Sequence, residues 1–157
     1  RVQRRCEFAV ASAVGLGLPV AFTEQVPQKL GGTAPALLAL APGAATHGKT
    51  SFSAFADEGI CDALVRQQRV EHLLLCGIET PICVYQTAIA ALAEGLQVTL
   101  LSDCIGARHP EDSAACLVAL RAAGVHVLPS ETIYYSLLRD VRHPFFKPYT
   151  QLVKSHA

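Results

Sequence analysis

The chain has 157 residues, 51% of them apolar and 17% charged, with a mean hydropathy of +0.33. At about 150 residues per domain this is one domain with a large core, which excludes a second full domain, intrinsic disorder and a solvating charged tail. Thirteen basic side chains balance thirteen acidic ones and the pI is about 7.1, so the charge footprint of a nucleic-acid binder is missing and no nucleic-acid partner is expected.

The periodicity predicts a first helix over Val2 to Leu16 and a short buried strand over Leu18 to Phe22, ending at Thr23 and Glu24. The apolar run Ala9 to Phe22 is too short to cross a bilayer, holds Gly15, Gly17 and Pro19, and lacks a secretory cleavage site, so no membrane association is expected. A loop with Pro27, Gly31 and Gly32 covers Gln25 to Thr33, and Pro35 to Leu40 forms one or two helical turns. Ala45 to Phe55 shows no clear period. Asp57 caps a helix through Gln67, and His72 to Cys76 is a continuous apolar strand of the kind buried on both faces, ended by Gly77. Thr80 as cap and Pro81 at the first helical position open a helix to Glu94, which Gly95 stops. A strand over Leu96 to Leu101, a helix over Pro110 to Ala122, a strand over Val125 to Leu128 and a helix over Ser130 to Leu138, capped by Ser130, follow. Strands alternating with helices predict a three-layer α/β/α architecture on a mostly parallel central sheet. The tail His143 to Ala157 carries Phe145, Phe146, Tyr149, Leu152 and Val153, enough apolar surface to pack on the chain itself or on a neighbouring subunit.

Six cysteines, at 6, 61, 76, 83, 104 and 116, are scattered without a disulfide framework or a CxxC pair. That pattern predicts a reducing intracellular compartment, cytoplasmic or mitochondrial. His47, His109 and His143 lack the spacing of helical metal ligands and read as surface histidines; no metal and no cofactor are expected.

Ligands of parallel sheets gather beyond the carboxyl ends of the strands, which places a site at the turn Gly77-Ile78-Glu79-Thr80-Pro81-Ile82-Cys83. Cys83 falls near the third helical position, where unpaired N–H groups and the helix dipole favour a thiolate; the competing reading is one more small buried residue. Lys49, in His47-Gly-Lys-Thr-Ser-Phe-Ser-Ala-Phe55, is either an exposed charge or a cation held in a pocket beside a thiolate.

Lys49-Thr-Ser-Phe-Ser-Ala-Phe55 together with Leu73-Leu-Leu-Cys-Gly-Ile-Glu-Thr-Pro-Ile-Cys83-Val-Tyr-Gln-Thr-Ala88 resembles the isochorismatase-like cysteine hydrolases. Thr23-Glu-Gln-Val-Pro-Gln-Lys-Leu-Gly31 is similar to the subgroup of isochorismatase-domain-containing proteins of animals and kinetoplastids. The resemblance runs on through Ser102-Asp103, Ser130-Glu131 and the segment from Asp140 to Lys147. It implies the isochorismatase-like fold across residues 1–157, with Cys83 as nucleophile and Lys49 as its cationic partner. A cis peptide is expected at Ile78–Glu79, aiming the Glu79 and Cys83 amides at a developing oxyanion. The family's third catalytic residue, an Asp at the end of a first strand, has no counterpart here and is expected upstream of Arg1.

The implied reaction is thiolate attack on an amide-like carbonyl of a small molecule, a thioester intermediate and hydrolysis. The zinc-binding Asp-x-His of the nicotinamidase branch is replaced by Thr23-Glu24-Gln25, which speaks against a metal and against nicotinamide. Isochorismate itself is handled by members without the cysteine, so Cys83 speaks against that reaction too. Tyr85, Phe52 and Asp103 are candidate pocket residues, with a core aromatic for Tyr85, a solvated carboxylate for Glu79 and a loop-organising cap for Asp103 as the competing readings. The alternatives for the whole chain are a catalytically silent scaffold or binding protein, and a mitochondrion-associated ribonuclease of the kind described among kinetoplastid relatives. The family resemblance and the aromatic tail predict a homodimer or higher oligomer.

Overall fold

The computed structural model describes residues 1–156. In chain order it contains α1 (Val2–Gly15), β1 (Ala21–Gln25), α2 (Pro27–Leu30), α3 (Pro35–Leu40), β2 (Ala45–Lys49) and α4 (Glu58–Cys61), which continues as a π turn over Asp62–Arg66. Then come β3 (His72–Ile78), a second π turn over Thr80–Val84 leading into α5 (Tyr85–Ala93), β4 (Gln97–Gly106), α6 (Pro110–Ala122), β5 (His126–Leu128), α7 (Ser130–Leu138) and α8 (Phe146–His156). All strand pairs are parallel, as the alternating pattern requires, and helices cover both faces.

The strands fall into two sheets rather than one. β1 pairs with β2, and β3, β4 and β5 pair in that order, with no ladder joining β1 to β3. β4 is the centre of the larger sheet: Val98, Leu100 and Leu101 are essentially fully buried. Val98 and Leu100 pack with Ala88 and Ala91 of α5 and Leu120 of α6 on one face. Leu101 and Cys104 meet Cys6, Phe8, Ala9 and Ala13 of α1, Tyr134 of α7 and Tyr149 of α8 on the other. The Tyr134 hydroxyl donates to the Ala9 carbonyl at 2.7 Å, and its ring stands edge-on to Phe8.

Local chemistry explains the helix limits. Asp57 accepts from the Ile60 N–H as the cap of α4. In α6, Glu111 and Asp112 occupy the first turn and Arg121 the last, which complements the helix dipole.

Several expectations shift. The first strand lies at Ala21–Gln25, not Leu18–Phe22, because Leu18 and Val20 pack against the α1 side of the core while the next five residues find backbone partners in Ala45–Lys49. Those partners turn the unperiodic stretch after Ala44 into β2. The third strand runs on through Gly77 to Ile78, and the fourth extends five residues past Leu101 because Gly77 and Ile78 pair with Ile105 and Gly106. Thr80 caps nothing: its hydroxyl donates to the Gly106 carbonyl at 3.1 Å, tying the turn to the end of β4. Ser130 does not cap its own helix either; its N–H and hydroxyl both bond Asp103, so the cap arrives from β4. The aromatic tail folds back on the chain, α8 lying against α1 and Phe145 against Gly15, where an added Cβ would come within 1.9 Å of the ring.

Candidate active site

Gln25 ends β1, Lys49 ends β2 and Cys83 follows β3, and the three side chains approach one another, so the site lies beyond the carboxyl ends of parallel strands, where α/β folds bind ligands.

Lys49 is the last residue of β2 and only 5% exposed. Its Nζ donates to Gln25 Oε1, to the carbonyl of Ser51 at 2.9 Å and to that of Phe52 at 2.9 Å, and it stands 3.8 Å from Cys83 Sγ. Cys83 lies in the π turn after β3, half-buried, with Gln25 Oε1 4.0 Å from its sulfur. The register explains the convergence, since Gln25 pairs with Lys49 and both end their strands beneath the turn. A buried ammonium must have its donors satisfied, and three neutral acceptors do so while holding it against the sulfur.

The turn after β3 is held by local contacts. The Ile78–Glu79 peptide is cis, as the family resemblance implied. The Glu79 carbonyl accepts from the N–H groups of Ile82 and Val84, which closes the turn around Cys83. The Glu79 carboxylate is engaged by Arg108, whose Nε lies at 2.8 Å and whose backbone N–H also reaches it.

The remaining pocket candidates separate. Phe52, 53% exposed, gives its carbonyl to Lys49 and stays at the site, and Ile78, 68% exposed, ends β3 ahead of the turn. Tyr85 packs against the α5 and α6 core, the aromatic reading weighed for it. Asp103 is held elsewhere, accepting from Ser130 and from Arg5 Nε and Nη2. It lines a cleft with Arg1, Arg4, Arg5 and His156 that includes none of the groups around Cys83. Burial works to raise its carboxyl, but the Ser130 and Arg5 hydrogen bonds outweigh it and hold it below the ordinary value.

Of the three loop histidines, His143 accepts from the Phe145 N–H, and His47 is no surface residue at Nε2, which is buried without a partner. Gln25 is the residue that sequence reasoning missed; its place in a polar loop hid it, and only the parallel register opposite Lys49 would have marked it. Among the described residues no group of three or more His, Cys, Asp or Glu side chains is placed to hold a metal ion.

Three cysteines away from this site have their thiols raised. Contact with Cys104 draws the Cys6 thiol down, but Cys76 and burial prevail and push it up to about 12. Cys104, bonded by Cys6 and buried, is also raised, as burial raises Cys61.

Fold and site together define an α/β domain with a thiol beside a buried ammonium at the carboxyl ends of parallel strands. The isochorismatase domain model matches residues 1–132. The chain is 37% identical over 139 residues to the isochorismatase domain-containing protein 2 of Bos taurus, a match covering 88% of this chain and 66% of that protein. It therefore spans just under two thirds of that relative's length. Among solved structures, the MAR1 ribonuclease of Caenorhabditis elegans superimposes with a TM-score of 0.90 at 29% identity, covering 98% of this chain and 78% of the other. The YcaC gene product of Escherichia coli, an octameric hydrolase of unknown specificity, shares the fold with a TM-score of 0.86 at 20% identity, covering 99% of this chain and 82% of that one. The chain belongs to the isochorismatase domain family, whose members are hydrolases.

Proposed function

We propose that this site is that of a cysteine hydrolase acting on an amide-like C–N bond of a small molecule. The approach of Lys49 Nζ to 3.8 Å from Cys83 Sγ carries the reading. An ammonium fixed by three acceptors favours a thiolate at Cys83. The thiolate attacks the carbonyl carbon; a C–S bond forms and the carbonyl π pair moves to oxygen, where the Cys83 and Glu79 amides donate to it. Collapse expels the amine, which takes up a proton, and leaves a thioester. Water then attacks the thioester, the C–S bond breaks, and acid and thiolate are released. The proton transfers call for a general base, the role of the family's Asp, which none of the acidic side chains contacting this site fills: Glu79 is bound to Arg108.

The ribonuclease reading draws on the name of the C. elegans neighbour. A formal charge of zero supplies little for a phosphate backbone to bind. Six free cysteines support a reducing intracellular compartment, and no helix among the described residues is long and apolar enough to cross a membrane. Self-association is proposed from the octameric YcaC neighbour and from the exposed apolar Tyr135, Leu137 and Val141.

The test is competitive alkylation with iodoacetamide near neutral pH, read by peptide mass spectrometry. Cys83 labels ahead of the other five cysteines, and Lys49→Met slows it several-fold while the remaining rates hold. Labelling of Cys83 no faster than Cys76 or Cys116 overturns the hydrolase reading.

A further inference from the structure

Gln25 meets the site with both ends of its carboxamide. Its Nε2 donates to the Thr50 carbonyl at 2.7 Å, and its Oε1 accepts from Lys49 Nζ. A carbonyl can only accept and an ammonium can only donate, so these two partners leave one orientation for the amide. In that orientation Oε1 stands 4.0 Å from Cys83 Sγ, while Lys49 Nζ stands 3.8 Å from it. The sulfur therefore faces the ammonium and the amide oxygen together.

The backbone holds Gln25 in place for this. Its pairing with Lys49 runs one step past the end of β1, where the Val26 N–H donates to the Lys49 carbonyl at 2.9 Å. Val26 then turns the chain away at φ 42° and ψ 61°, a left-handed conformation that its branched Cβ and the following Pro27 both oppose. Strain of that kind persists where the surroundings over-determine it, and it clusters at functional sites. Strand alternation decides which side chain is presented: Glu24 points to the other face, where its carboxylate accepts from the Thr33 N–H at 2.6 Å. The chain carries an acid and an amide side by side and puts the amide at the sulfur.

That choice has a chemical consequence. A carboxylate at the same place would hold the ammonium as well, but its charge would stand beside the sulfur and disfavour the thiolate. We propose that Gln25 is the positioning residue of the Lys49–Cys83 pair: its carboxamide holds the ammonium against the sulfur and brings no negative charge with it. This deepens the hydrolase reading and rests on it. The other titratable groups around Cys83 come from the elements packed on its turn. Glu79 of the turn is paired with Arg108, β3 carries His72 and Cys76, α5 carries Tyr85, and α6 carries Glu111 and Asp112 in its exposed first turn. All of them stay constant across the variants below.

The test is the pH profile of Cys83 alkylation by iodoacetamide, read by peptide mass spectrometry, with the other five cysteines reporting on folding. Gln25→Glu moves the midpoint of the Cys83 profile up by about one to two pH units, slows labelling at pH 7 about tenfold or more, and leaves the limiting rate at high pH within about twofold. Loosened packing alone changes the limiting rate and not the midpoint. Gln25→Met keeps the length of the side chain and loses both hydrogen bonds; it slows Cys83 several-fold near neutral pH but adds nothing in Lys49→Met, because the effect runs through the lysine. Glu24→Gln removes a charge one residue away on the opposite face and leaves the midpoint in place. An unmoved midpoint in Gln25→Glu, equal slowing by Gln25→Met with and without the lysine, or an equal shift from Glu24→Gln overturns the proposal. Should Gln25→Glu expose all six cysteines, the Gln25→Met comparison decides alone. Cys83 labelling no faster than Cys76 or Cys116 in the unsubstituted protein overturns the hydrolase reading instead, so the two failures are told apart.

Discussion

Replacing Asp103 by Asn tests whether this carboxylate is an architectural clamp or part of the pocket. Asp103 accepts hydrogen bonds from Ser130 N and Oγ at 2.7 Å each, from Arg5 Nε and Nη2 at 2.8 and 2.6 Å, and from Cys104 Sγ at 3.6 Å. Asn keeps one oxygen for the Ser130 N–H but turns an NH2 toward the Arg5 guanidinium. Removing one partner of a buried ion pair costs about 3–5 kcal/mol. The side chains of Arg5 and Asp103 are 19% and 22% exposed, so solvent takes back part of that. A loss of roughly 2–3 kcal/mol follows, which for a chain of this size lowers Tm by about 4–12 °C. The pH dependence has a definite sign. A carboxyl held below its ordinary value stabilises the fold fully above that value and loses its contribution as pH falls through the depressed one. The acid limb of the stability curve, below about pH 4, therefore flattens in the variant. Urea denaturation across pH, with the Arg5→Met and double variants completing the cycle, measures the coupling. A loss below about 1 kcal/mol near neutral pH, or an unchanged acid limb, would refute the clamp. A change in Cys83 alkylation at unchanged stability would return Asp103 to the pocket.

Gly15→Ala should destabilise, because the roughly 1 kcal/mol that alanine gains as a helix former is outweighed by displacing the Phe145 ring, at about 1–3 kcal/mol or more. Thermal melts of Gly15→Ala with and without Phe145→Ala check this, and the second change should restore part of the loss. Self-association is read by light scattering at micromolar concentration: a species at a multiple of 16.7 kDa is expected, and a clean monomer ends that proposal while leaving the thiol chemistry untouched.

The sequence by itself determined the alternation of strands and helices, because apolar periodicity and the caps and stops of the helices are local properties. It also marked the turn at Cys83, where strand, Gly77 and a Pro-opened helix follow at once, and family likeness tied that turn to Lys49. What it could not determine depends on partners distant in the chain. β2 has no apolar pattern and exists through its ladder to β1, and β4 runs past Leu101 because Gly77 and Ile78 supply the pairing. Gln25 reads as a loop residue until the register sets it opposite Lys49, and Asp103 serves a helix 27 residues away. The half-exposure of Leu73 to Cys76 belongs to the same class: their hydrophobicity predicts burial, but only the tertiary structure shows them on the edge strand of the larger sheet, since burial is a property of neighbours and not of the residue.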